Sequence, residues 1–309
     1  MLLFDAITLE QKPVLDAYLR RYGEGSCQHS FVSLFCMSEK YGDLACLKDG
    51  YLFILRTRQC TEDLRVYLFP MGDPTNRDGL ARAIGEILED AHAHGARACF
   101  RTVTQQARNL LQELFPGRFR IKYDRDYAEY LYTYDRLANL PGSEMASKRH
   151  DLNTFYRNFG DRTVIEPIRP EHLEEILAFQ KYWLEDYLAD ETDVQLDCEN
   201  HAIHRGIAHF SELDLSGIVV FVDGKIAGYA YGAPLSDAHY DVIIEKGDRR
   251  IPDIYRVLNR ELVRMCCAGY AYINREEDVG VEGLRKAKLS YKPDCFIEKY
   301  LATEVEPLE

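Results

Sequence analysis

A chain of 309 residues can bury one large core or two ordinary ones, and its 46% hydrophobic and 29% charged residues exclude wholesale disorder. The formal net charge of −13 argues against general nucleic-acid binding, because neutralised phosphates supply most non-specific affinity, but a local basic patch stays open. No secretory signal opens the chain, and no apolar run approaches the ~20 residues of a membrane helix. Nine cysteines, an odd number without a Cys-x-x-Cys pair, read as reduced thiols. The expected location is the cytoplasm, with no membrane span.

In chain order the sequence repeats a series of element types. Thr8-Leu-Glu-Gln11 has capping-box spacing and opens an amphipathic helix to about Tyr22. An apolar run ends at Lys48-Asp49-Gly50 and another starts at Tyr51. Asp-Gly between strand-like runs predicts a hairpin, since a type I′ turn needs positive φ at both central residues. A third strand is expected at 64–69, then a helix at 76–93, a strand at 98–103, a helix at 104–114 and a closing strand within 119–134. Leu140-Pro141-Gly142 breaks the chain, and 143–159 reads as a linker helix.

Helices from Pro170 to about Leu188 and over 199–213 introduce the second series. It has a hairpin at Asp223-Gly224, a third strand at 240–245, a helix at 252–268, a strand at 270–274, a helix at 281–291 and a closing strand at 295–301. Matching landmarks (Asp49 and Asp223, Asn76 and Pro252, Ala96 and Tyr270) are offset by 174 to 176 residues with little identity, so what repeats is architecture. This order is that of a GNAT acyltransferase module. The expected fold is α/β (α+β), with two tandem GNAT-like modules, each a mixed, mainly antiparallel sheet flanked by helices. The expected boundaries are 1–135, a linker helix at 136–162, and 163–309 for the module that carries the site.

Several constellations could carry chemistry. Asn274-Arg-Glu-Glu-Asp278 follows a strand and leads into a helix, where the helix dipole favours acids by ~0.3–1 kcal/mol. On that helix Arg285, Lys288 and Lys292 share a face, while Leu284, Ala287 and Tyr291 share the adjacent face and are expected to pack on the sheet. The basic stripe can bind a phosphate or carboxylate, or hold Glu276–Asp278 in ion pairs; both stay open. Lys148, Arg149 and Asn153 fall near one turn of the linker helix, as a substrate surface or as a solvated face. Glu245 closes an apolar strand, either as an exposed charge or as a general base at the strand end that faces the acyl donor in GNAT-type modules.

Other signals are weaker. His201-x-x-His204 is too sparse for zinc, and no metal is expected. The loop Lys246-Gly-Asp-Arg-Arg-Ile-Pro-Asp253 has one glycine, and Pro252 lacks an N–H, so it makes a poor backbone cradle for a pyrophosphate. No cofactor is expected, although coenzyme A stays open.

The segment Gly283-Leu-Arg-Lys-Ala-Lys288-Leu-Ser-Tyr-Lys-Pro293, followed by Tyr300-Leu301, resembles the end of the C-terminal domain of bacterial phosphatidylglycerol lysyltransferases. That end is a Lys-x-Lys-aromatic-x-Pro pattern before a final Tyr-Leu. The Asn274–Gly280 run and Lys148-Arg149-x-x-x-Asn153 resemble a related group of bacterial proteins with the same domain. The likeness spans about 130–303. It implies tandem GNAT-like modules and transfer of an aminoacyl group from charged tRNA to an amine or hydroxyl. Fem-type peptidoglycan transferases are structural cousins with the same donor logic, and such a donor needs no coenzyme A.

The lysyltransferases also carry an N-terminal membrane domain, and this sequence shows no such stretch, so a soluble small-molecule or peptide acceptor is expected. In the leading scheme for such a transfer Glu245, Glu276 and Lys288 are expected to be catalytic: Lys288 with Arg285 binds the donor's phosphate or ester oxygen, and Glu245 or Glu276 takes the proton. Asn274 and Arg275 orient the attacking group, and Tyr291 is a position of the family pattern. Lys148 and Arg149, with Asn153, extend the basic surface toward tRNA. The alternatives are an acyl-CoA-dependent N-acyltransferase and a non-catalytic GNAT-derived protein that binds an anionic ligand.

Overall fold

A computed structural model describes residues 1–188 and 194–305. The first series comprises β1 (Asp5–Ala6), α1 (Lys12–Tyr22), α2 (Phe31–Cys36), α3 (Ser38–Tyr41), β2 (Asp43–Lys48), β3 (Tyr51–Arg56), β4 (Leu64–Tyr67), α4 (Arg77–Ala93), β5 (Arg97–Thr104), α5 (Gln105–Leu114) and β6 (Phe119–Tyr123). The middle of the chain forms β7 (Glu129–Thr133), α6 (Tyr134–Ala138) and α7 (Ala146–Phe159). The second series comprises β8 (Thr163–Pro167), α8 (Leu173–Leu188), α9 (Val194–Ala208), β9 (Ser216–Val222), β10 (Lys225–Pro234), β11 (His239–Gly247), α10 (Ile254–Cys266), β12 (Tyr272–Asn274), α11 (Glu282–Leu289), β13 (Cys295–Ile297) and β14 (Lys299–Glu304).

Local chemistry sets most of these boundaries. Thr8 and Gln11 form the expected capping box ahead of α1. Asn76 accepts from Gly79 N at 3.0 Å and Thr104 from Ala107 N at 3.2 Å, so side-chain caps start α4 and α5. Both hairpins turn at left-handed pairs, with φ of 49° and 80° at Asp49-Gly50 and of 51° and 73° at Asp223-Gly224. That is the type I′ pattern expected of Asp-Gly.

The described residues form two seven-stranded sheets, ordered β1-β2-β3-β4-β5-β14-β6 and β13-β7-β12-β11-β10-β9-β8. Both follow the same GNAT-like plan: an antiparallel series, one parallel pair (β4 with β5, β11 with β12), then an inserted antiparallel strand. The expected closing strands therefore divide. Of the run 119–134, β6 lies in the first sheet and β7 in the second; of 295–301, β13 lies in the second sheet and β14 in the first. Each sheet's inserted strand thus comes from the other half of the chain. Glycine- and turn-based signals cannot reveal this, because strand partners are chosen by long-range pairing.

The chain accordingly forms two non-contiguous compact units. Unit 1 comprises Met1–Glu129, Glu277–Glu282 and the chain from Phe296; unit 2 comprises Tyr130–Glu276 and Gly283–Cys295. The sequence-based boundaries at 135 and 163 are contiguous, and the last expected residues, 306–309, lie outside the described residues. The helix expected as a linker, α7, buries Leu152 and Phe155 in unit 2's core together with Val257, Leu258 and Leu262 of α10. In unit 1, Leu80, Ile84 and Ile87 of α4 pack with Leu110 and Leu111 of α5. Each such side chain contributes about 1.5–3 kcal/mol by leaving water. None of the nine cysteines is in a disulfide, and among the described residues no helix is long and apolar enough to cross a membrane.

Unit 1 also buries a polar network. Glu129 and Lys299, each fully buried, pair at 2.7 Å, and Glu129 also accepts from Ser26 Oγ at 2.7 Å and from Cys27 N at 3.1 Å. His29 is buried beside them, and burial chiefly pushes its pKa down to about 3. The unfolded imidazole takes a proton near its ordinary 6.5. Between these values the unfolded chain binds more protons, so stability falls as pH drops from 6.5 toward 3. His29→Gln is expected to flatten that fall by up to about 1.4 kcal/mol per pH unit, read from urea unfolding on the acid side of neutrality. An unchanged slope would show that this ring is not held neutral.

Candidate active site at the strand fork of unit 2

β11 and β12 run parallel but pair only at His239–Asp241 against Tyr272–Asn274, while β11 continues along β10 to Gly247. Beyond Asp241 the two strands part and leave a fork. A bulge decides what points into it. Tyr231 pairs with Ile244 but Gly232 pairs with Val242, which leaves Ile243 as an extra residue. The inserted residue reverses the side-chain alternation, so Glu245 shares the face of Tyr240 and Val242 toward α10, and Lys246 turns away toward Trp183 and Glu199. Gly232 permits this close approach: a Cβ there would lie 1.8 Å from the Asp241 carbonyl oxygen.

Glu245 is held through both oxygens. Asn259 Nδ2 of α10 donates to Oε1 at 3.1 Å, and Arg275 Nη2 donates to Oε2 at 2.6 Å across the fork. Arg275 is fixed in turn by its own backbone, whose N–H donates to Tyr130 O at 2.9 Å and extends the ladder toward β7. Its guanidinium carbon lies 5.9 Å from the Tyr132 ring and 5.0 Å from the Tyr291 ring. Arg275 Nε and Nη1 are buried and have no hydrogen-bond partner among the described residues. Two buried donors without acceptors cost about 1–3 kcal/mol each, so the fork is suited to an oxygen-bearing ligand.

Lys148 of α7 approaches the same Tyr291 ring, with Nζ 4.7 Å from its centroid, and is only 9% exposed. Burial, then Arg256, holds its pKa below the ordinary lysine value; Arg275 adds to this and Asp151 opposes it. Arg256 pairs with Asp151 at 3.2 Å. Burial raises the phenols of Tyr132 and Tyr291, so both rings present neutral hydroxyls. Lys288 is also buried, with Nζ 5.8 Å from the Tyr130 ring, and its backbone carbonyl accepts from Tyr132 OH at 2.7 Å. The matching strand end in unit 1 is Leu68-Phe69-Pro70, with Leu68 and Phe69 in the core, so this polar constellation has no counterpart there.

The fold thus brings Glu245, Arg275, Lys148, Tyr291 and Lys288 around three tyrosine rings. Other expected residues lie elsewhere. Asn274 is fully buried, and its Oδ1 accepts from Glu276 N at 2.8 Å, shaping the turn in which Glu276 has φ 55°. Arg149 donates to the carbonyls of Leu140 and Gly142, so it braces the turn before α7 instead of extending a basic surface. Asn153 is exposed, and Arg285 is partly exposed on α11. The expected face of Arg285, Lys288 and Lys292 does not form, because α11 ends at Leu289 and Lys292 has φ 53°. Leu284 and Ala287 are exposed where packing was expected, while Lys288 and Tyr291 are buried.

The acids Glu276–Asp278 precede the first turn of α11, which starts at Glu282. Within unit 1, Glu277 accepts from Gln28 Nε2 at 2.6 Å, and Asp278 pairs with Arg125 at 3.2 Å. Sequence reading missed Asn259, Arg256, Tyr130 and Tyr132. Asn259 was detectable as an amide on the apolar face of α10 beside Val257, Leu258 and Leu262. As for metals, ligand atoms of Cys27, Glu129 and Glu277 lie within 4.8 Å of one another, a group that does not include His201 or His204. The Lys299 ammonium 2.7 Å from Glu129, and the Cys27 thiol donating to Glu277 at 3.2 Å, already occupy those carboxylates. That electrostatics disfavours a cation.

The family profile described as phosphatidylglycerol lysyltransferase, C-terminal, matches residues 19–303. The chain belongs to that family. A conserved protein of unknown function from Bacteroides thetaiotaomicron VPI-5482 has the same fold, with TM-score 0.91 and 31% identity over 99% of this chain and 100% of that one. L-PGS from Bacillus licheniformis matches with TM-score 0.66 and 18% identity over 96% of this chain and 92% of that one, a likeness of fold alone. An uncharacterized protein of Mycoplasmoides gallisepticum is 24% identical over 172 residues, which are 56% of this chain. The match spans 54% of that relative's length, about half.

The bulge makes a direct prediction. Gly232→Ala is expected to cost about 2–4 kcal/mol by forcing Asp241 aside. Gly224→Ala, in a turn with open space around the new methyl group, is expected to cost about 1–2 kcal/mol for its φ alone. Urea unfolding of the two variants compares them, and equal costs would contradict the close approach at Gly232.

Proposed function

We propose that the fork of unit 2 transfers an acyl or aminoacyl group from an activated ester, charged tRNA being the leading donor, to an amine or hydroxyl acceptor. The observation that carries this reading is the buried Arg275 guanidinium, anchored by Glu245 yet left with two free donors inside the fork. Acyl transfer builds negative charge on a carbonyl oxygen, and pre-placed donors in a water-poor site stabilise that charge without reorganising. Lys288 completes the cationic side of the site. Family membership supports the reaction class.

Glu245 is better suited to orienting Arg275 than to accepting a proton, because both of its oxygens are engaged. An ester donor on tRNA also needs no coenzyme A, in keeping with the single glycine of the loop at 246–253. Phosphates of such a donor would meet local cations despite the chain's net charge of −13.

The test offers the protein isotopically labelled aminoacyl-tRNA or acetyl-CoA, with an extract of small molecules and lipids, and identifies acylated products by mass spectrometry. Product is expected from the tRNA ester. Arg275→Gln and Lys288→Ala, folded by circular dichroism, are each expected to lower the rate ~10²–10³-fold. Full activity in both variants would exclude this site. Product from acetyl-CoA alone would replace the tRNA donor with an acyl-CoA donor.

A further inference from the structure

We propose that Lys148 is the proton acceptor of the transfer, taking the proton of the attacking amine or hydroxyl onto a neutral amine. The proposal rests on the acyl-transfer reading above. Lys148 sits on the buried side of α7, and its Nζ shares the Tyr291 ring with Arg275. Among the described residues no carboxylate pairs with its ammonium and no acceptor hydrogen-bonds to it. The groups facing it are Asp151 from its own helix, Arg256 from α10, Arg275 from the loop after β12, and Tyr291 from the turn after α11. Of these only Asp151 carries negative charge, and that carboxylate is already paired with Arg256 at 3.2 Å.

Burial and two guanidiniums therefore favour the uncharged amine, which approaches the same Tyr291 ring as Arg275. Glu245, the acid expected as the base, is tied by Asn259 and Arg275. A lysine whose charge is opposed by its surroundings is suited to proton transfer near neutral pH.

The step balances as follows. The acceptor's nitrogen or oxygen bonds to the ester carbon, its proton passes to Lys148 Nζ, and the carbonyl electron pair moves to the oxygen held by Arg275. Collapse breaks the bond to the leaving oxygen, which receives the proton back from Lys148. The products are the acylated acceptor and the free hydroxyl of the donor.

Competitive labelling of the intact protein tests this without any substrate. Trace acetic anhydride is applied from about pH 6 to about pH 11, and acetylation of Lys148 is quantified by mass spectrometry against the exposed Lys225. The labelling midpoint of Lys148 is expected below that of Lys225, and Arg256→Gln and Arg275→Gln are each expected to shift it upward. If Arg275→Gln does not fold, Arg256→Gln carries the comparison. A midpoint at or above that of Lys225 overturns the proposal. So does saturable protection by inorganic phosphate with an upward shift, which would make the pocket an anion site holding a charged lysine. Transfer activity with an ordinary Lys148 midpoint overturns the base role alone. A depressed midpoint with no transfer from either donor overturns the acyl-transfer reading and the role with it.

Discussion

A guanidinium buried at the parting of two strands constrains the rest of unit 2. Arg275 cannot shed its proton to relieve burial, so its surroundings must supply negative charge and aromatic faces. Glu245 meets one edge of it at 2.6 Å, and the Tyr132 and Tyr291 rings lie 5.9 and 5.0 Å from its carbon. Removing the carboxylate from such a pair would leave a buried charge uncompensated, at a cost of about 3–5 kcal/mol. The bulge at Ile243, the amide of Asn259 and the backbone ladder from Arg275 to Tyr130 all keep this one pair in place.

That arrangement separates anchoring from function within a single side chain. One donor is spent on Glu245, and Nε and Nη1 stay buried with none of their own partners among the described residues. Unsatisfied buried donors are rare in folded proteins, and a ligand or catalytic role is one explanation for them. The remaining basic side chains follow the same logic, since Lys148, Arg256 and Lys288 approach tyrosine rings in a chain whose overall charge is strongly negative. Local field, rather than net charge, decides what such a cleft attracts.

The two units share a topology and differ in what it displays. Where unit 2 ends its third strand in Glu245, unit 1 has Leu68-Phe69, which enter the core. Unit 1 places buried polarity instead in the Glu129–Lys299 pair, held by Ser26 and Cys27, and in the Asp43–Arg56 pair at 3.3 Å, whose guanidinium lies over the Tyr41 ring. The two copies of the plan thus bury different charged pairs.

Much of the architecture was legible in the residues, because its signals are local. Asp-Gly pairs turn left-handed wherever they join two apolar runs, Asn76 and Thr104 cap helices through their own side chains, and apolar spacing marks helical faces. The segment 274–293 was likewise singled out by its charges, and Arg275, Lys288 and Tyr291 do gather at the fork with Lys148 and Glu245. What the sequence could not decide depends on pairing at a distance. Which sheet receives β7 and which receives β14 is settled by strands well over a hundred residues apart. The face of Glu245 is settled by one inserted residue, allowed because Gly232 has no Cβ to strike Asp241. The burial of Lys148 and Lys288, both expected at the surface, follows from the rings they meet in three dimensions. Local propensity therefore fixed the elements and their order, while side-chain phase and strand partners, on which the site depends, came only from tertiary packing.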